Sequence, residues 1–72
     1  MITLNNIKDA RKNLENIAIN TPIAKAPILS KELNAQIYLK KENLQLTGSF
    51  KLRGAFNKVA TLSKEKKDAG VV

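Results

Sequence analysis

Apolar side chains recur near the start of the chain at the spacing of one helical face: Leu4, Ile7, Ala10, Leu14, Ile17 and Ala18, with Lys8, Lys12, Glu15 and Asn16 between them. An apolar stripe at three- and four-residue intervals is the mark of an amphipathic helix. The pattern predicts a helix from about residue 4 to 18. Thr3 is its N-cap, and the run Asn20-Thr21-Pro22 stops it, because proline disfavours helical geometry in the residue before it.

The pattern then changes. Pro22 and Pro27 predict an extended, irregular segment over 21–29, followed by a short helical turn from Ser30 to Leu33 with Ser30 as its cap. Gln36-Ile37-Tyr38-Leu39-Lys40 has a β-branched and aromatic centre and reads as a strand. The polar stretch from Glu42 to Gly48 leads through Thr47-Gly48-Ser49 into a second helix. There Leu52, Ala55, Phe56, Val59, Ala60 and Leu62 form one side to be buried, with Arg53, Asn57 and Lys58 polar. Ser63 caps a short helix from Lys64 to Ala69, and Gly70 ends it in the left-handed C-terminal position. Val71-Val72 has the character of a beginning strand. The order helix, strand, helix, helix, incipient strand is that of an α/β layered fold, with helices around an incomplete parallel sheet. No repeat, low-complexity tract or linker divides the chain, so residues 1–72 are taken as one piece of a domain, cut as a strand begins.

Composition narrows the chemistry. With 72 residues and no Cys or His, the chain lacks the disulfide or metal staples that small domains use. Thiol catalysis, the common zinc arrangements and a Ser-His-Asp triad within the chain are excluded on the same count. Thirteen basic against six acidic residues give a net charge of +7, which raises the question of nucleic acid. The bases are scattered, however, and Tyr38, Phe50 and Phe56 are the only aromatics, so no stacking surface is expected. The start carries no signal-peptide pattern and no segment is long and apolar enough to span a membrane, which gives the expectation of a soluble, cytoplasmic chain. A hydrophobic content of 43% argues against complete disorder.

One residue stands out chemically. Lys51 falls in the first turn of the second predicted helix, where the positive end of the dipole disfavours a cation. A deprotonated lysine amine attacks carbonyls, and aldehyde cofactors such as pyridoxal phosphate are held through it as a Schiff base. Phe50 offers an apolar face for a flat ring, Gly48 and Gly54 permit close backbone approach, and free N–H groups near Gly48 to Phe50 suit an anion. Each feature also has a plainer explanation: a solvated lysine among many, a core phenylalanine, a turn and a cap.

The run Glu42, a spacer, then Thr47-Gly48-Ser49-Phe50-Lys51-Leu52-Arg53-Gly54-Ala55 resembles the lysine motif of the fold-type-II pyridoxal-phosphate enzymes, most closely those of the threonine dehydratase type. Thr21-Pro22, Leu29-Ser30, Leu33, Ile37 to Lys40 and Ala69-Gly70-Val71-Val72 resemble the same family in order and spacing. The resemblance implies that Lys51 is the catalytic and cofactor-binding lysine, that it shuttles a proton at the substrate α-carbon, and that Phe50 packs on the cofactor ring. It implies elimination of water from L-threonine or L-serine, giving a 2-oxo acid and ammonia; 2-oxobutanoate from threonine feeds isoleucine synthesis. It further implies a homo-oligomeric full-length enzyme. The family's Ser-x-Gly-Asn-His segment, glycine-rich phosphate loop and pyridine-nitrogen partner are placed downstream, so the 72 residues alone are expected to be inactive. A serine dehydratase or serine racemase is the alternative within the family, and a non-catalytic basic module the alternative outside it.

Overall fold

The computed structural model describes all 72 residues. Seven short elements follow one another: α1 (Leu4–Asn13), β1 (Ile23–Lys25), α2 (Pro27–Glu32), β2 (Tyr38–Lys40), a 3₁₀ turn (Glu42–Leu44), α3 (Lys51–Ala60) and α4 (Lys64–Ala69).

α1 begins where the sequence places it. The Thr3 hydroxyl accepts from the Asn6 amide at 3.2 Å, and the Asn6 side chain accepts from the Thr3 amide at 2.9 Å. This is a capping box with asparagine in the third position. The helix ends at Asn13, well before the predicted residue 18, and Arg11 and Lys12 in its last turn suit the dipole. The reason lies at Asn16, whose φ of 65° turns the chain out of the helix. Asparagine accepts that left-handed geometry more readily than other non-glycine residues. The turn folds Leu14 inward, where it is one of three buried residues, with Thr21 and Gln45.

The segment predicted as irregular contains both a strand and a helix start. β1 lies between the two prolines, so neither removes a ladder donor. It pairs antiparallel with β2 in the register Ile23 to Lys40, Ala24 to Leu39 and Lys25 to Tyr38. The Lys41 amide donating to the Pro22 carbonyl and the Ala26 amide donating to the Ile37 carbonyl extend the ribbon at either end. Pro27 occupies the first turn of α2, where its missing N–H costs nothing. Ser30, expected as a cap, lies inside α2, and its hydroxyl accepts from the Ile37 amide at 3.0 Å. The expected parallel sheet is not formed: the one sheet is this two-stranded antiparallel ribbon, and Val71-Val72 lies outside any strand.

Ser63 caps α4, its hydroxyl accepting from the Lys66 amide, as the sequence predicts. Gly70 has the expected positive φ, 82°, but its ψ of −179° places it in the extended, glycine-only region rather than in the left-handed helical one. On α3, Leu52, Phe56 and Ala60 are half-buried, as is Leu62 just beyond its end, whereas Ala55 and Val59 are exposed, so the predicted buried side is only partly covered.

The molecule measures 52 × 27 × 22 Å, with a radius of gyration of 16.2 Å. A compact domain of this length has about 11 Å. Its accessible surface is 6413 Å², against about 4,450 Å² for a compact monomer of this mass. The helices and ribbon therefore enclose almost no core, and their apolar faces stand open.

Candidate functional site

Lys51 is the first residue of α3. The approach to it is shaped by Gly48, whose φ of 73° needs no Cβ and whose amide donates to the Gln45 carbonyl at 2.8 Å. Ser49 follows, its hydroxyl accepting from the Lys51 amide at 3.2 Å. Phe50 occupies the cap position in helical geometry and offers no side-chain cap. The amides of Ser49, Phe50 and Leu52 have no acceptor in the chain, and no acidic side chain stands in the first turn of α3. The sequence-based expectation of free amides thus holds for Ser49 and Phe50 but not for Gly48.

The Lys51 side chain is exposed and its amine takes part in no ion pair or hydrogen bond. Phe50 beside it is 68% exposed. Gly54 has nothing within 4 Å of where a Cβ would lie, so the close approach expected of it is not made inside this chain.

Behind the lysine lies a polar network. Arg53 meets Glu42 two-pronged: Nε donates to Oε2 at 2.8 Å and Nη2 donates to Oε1 at 3.0 Å. The Thr21 hydroxyl donates to Glu42 Oε1 at 2.5 Å, and Gln45 Nε2 donates to Oε2 at 3.2 Å. Gln45 also holds the backbone of Ile19 at both ends, accepting from its amide and donating to its carbonyl, each at 2.8 Å. Arg53 Nη2 reaches the same carbonyl at 3.3 Å, and Lys40 Nζ donates to the Thr21 carbonyl. Three segments converge here: the stretch after α1, the turn after β2, and the first turn of α3.

The electrostatics follow. The Arg53 hydrogen bonds, reinforced by Thr21 and Gln45, hold the Glu42 carboxyl down at about 2 from an ordinary 4.5, against the opposing effect of burial. Glu42 in turn raises Arg53 above its usual range. No buried side-chain donor or acceptor is left without a partner.

The sequence had marked Glu42 and Arg53 only as parts of the motif, and it gave no function to Thr21 or Gln45. Glu42 and Gln45 stand three apart, a spacing that one tight helical turn brings together, but Thr21 and Arg53 share no helix or strand with them, so no local signal joins all four. Nearby, an open groove of about 720 Å³ runs between α1 and α3, lined among others by Ile7, Leu14, Arg53, Gly54 and Asn57. Lys51 is not among its lining residues, so the groove and the amine are separate features of the molecule.

An exposed, unpaired amine, an aromatic ring beside it and open amides at a helix start suit an aldehyde cofactor that carries an anion. Comparison with known proteins agrees. Residues 14–72 match the model of the pyridoxal-phosphate dependent enzymes, and the chain belongs to that family. Along its whole length it is 53% identical to an L-threonine ammonia-lyase of Thermotoga maritima, of which it covers 18%. It is also 42% identical to the L-threonine dehydratase biosynthetic IlvA of Bacillus subtilis, covering 17% of that protein. With the L-threonine dehydratase catabolic TdcB of Staphylococcus aureus it shares 40% identity and covers 21%. The chain thus spans about a fifth of the length of these relatives. No solved structure gives a significant match.

Proposed function

We propose that these residues form the amino-terminal part of a pyridoxal-phosphate dependent L-threonine ammonia-lyase, with Lys51 as the lysine that carries the cofactor. The observation that carries this reading is the free Lys51 amine at the start of α3, flanked by Phe50, in a chain similar along its full length to threonine ammonia-lyases and dehydratases. Pyridoxal phosphate, when bound, supplies an electron sink for the pair released at an amino-acid α-carbon. Lys51 Nζ would hold the cofactor's aldehyde and would move the α-proton, Phe50 would offer its apolar face to the ring, and the open amides of Ser49 and Phe50 would favour an anion. Further residues, supplied by the rest of such an enzyme, bind the phosphate and the substrate. The 72 residues alone are inactive, and the parallel sheet of the fold forms only with those further residues. The substrate is L-threonine, with L-serine as a slower one, and the product 2-oxobutanoate serves isoleucine synthesis in a cytoplasmic homo-oligomer.

A chimera tests this: these 72 residues in place of the matching segment of the Thermotoga maritima relative. Borohydride reduction with pyridoxal phosphate, followed by peptide mapping, is expected to place the label on Lys51. Ammonia release from L-threonine is expected to exceed that from L-serine. In Lys51→Ala both label and activity disappear, the latter by at least about 10²-fold. Label on another lysine, or full activity in Lys51→Ala, would refute the assignment.

A further inference from the structure

We propose that Glu42 and Arg53 are a positioning pair for Lys51, setting the rotation of α3 about its axis and so the direction in which the amine leaves the helix. The inference rests on the reading of Lys51 as the cofactor lysine. Successive helical residues are rotated by about 100°, so residues two apart point about 200° apart, on nearly opposite sides. Arg53, anchored toward the segments that carry Ile19, Thr21 and Gln45, therefore leaves Lys51 facing away from them. The exposure of Lys51 and its freedom from any partner agree with that placement.

The form of the contact matters more than its strength. An ion pair with one partner 38% exposed adds little to stability on its own. A planar guanidinium held at two points on a carboxylate, however, resists rotation in a way that a single-point ammonium contact does not. Glu42, 14% exposed, is itself fixed from two further directions by Thr21 and Gln45. The clamp thus refers the helix start to two other segments of the chain, instead of leaving it to the Gly48 turn alone.

Glu42→Gln and Arg53→Lys, made in the chimera described above, separate positioning from simple stapling. Both variants are expected to keep the borohydride label on Lys51. Their kcat on L-threonine should fall by roughly 10²-fold, the scale of a misplacement of about 1 Å, with KM changed far less. The pH profile of the visible absorbance of bound cofactor should also move, because the amine sits differently and the Arg53 charge is balanced differently. A lowered Tm with parental kcat, KM and pH profile would overturn the proposal, since a staple alone predicts that result. Failure of the parental chimera to label Lys51 would instead overturn the reading beneath it, and this proposal with it. If either variant does not fold, Thr21→Val decides in its place, because it removes one hold on Glu42 and leaves the ion pair intact. A smaller loss of kcat with the same shift of profile supports positioning, and a parental profile refutes it.

Discussion

At the scale of single residues, the chemistry of this chain divides between a lysine left free and a glutamate held on all sides. The glutamate has a pH signature of definite sign. Its carboxyl is held at about 2 in the folded chain against an ordinary 4.5, so folding favours the ionised form. The contribution is complete above the ordinary value, declines as the pH falls from about 4.5, and is gone once the pH has passed about 2. A carbon-13 titration of the Glu42 carboxyl should find its midpoint near the lower value, and Glu42→Gln should remove that acid-dependent step in stability. A midpoint at the ordinary value would mean that the two-pronged contact with Arg53 does not persist in solution. The lysine was legible in the sequence because its position contradicts the usual helix electrostatics and its neighbours repeat a family motif. The network behind it was not. Glu42 and Gln45 meet across one local turn, but Thr21 and Arg53 join them only once the chain has folded back on either side, and a single sequence carries no period that joins all four.

At the scale of elements, capping chemistry was the most readable layer. Thr3 and Ser63 start α1 and α4 because each side chain satisfies an otherwise open amide within three residues. What escaped reading were cases where one residue type serves two roles. Pro27 reads as a breaker, yet it opens α2; Pro22 and Pro27 together read as an irregular stretch, yet they bracket β1 without removing a pairing donor. The apolar stripe of α1 continues through Ile17, but a positive φ at Asn16 ends the helix while Leu14 still turns inward. α4 offers the clearest test at this scale, being six residues long and far below the length at which a helix holds itself together. Ser63→Ala is expected to cost it about 1 kcal/mol, roughly a five-fold rise in local opening. Amide exchange over residues 64–69 reads that rise directly, while protection in β1 and β2 should stay unchanged.

At the scale of the whole molecule, the chain is elongated and open. Large apolar side chains such as Ile7, Ile28, Leu33 and Leu46 stand more than half exposed. Small-angle scattering at high dilution is expected to give a radius of gyration near 16.2 Å. A value near 11 Å, that of a compact domain of this length, would contradict the open arrangement. The openness also explains why fold class was only partly legible: α and β elements can be read locally, but the partners of a sheet cannot be read from a segment that supplies two short strands. The Glu42–Arg53 clamp, finally, has a kinetic side. Its two ends are eleven residues apart in the chain, and a loop of about ten residues closes on the order of 10–100 ns. Closure at that length costs little entropy beside the pairing of distant strands. By loop length, this pair is expected to close before the contacts of Gln45 and Arg53 with Ile19, which span 26 and 34 residues, so whatever packs onto the turn afterwards meets a helix start already held.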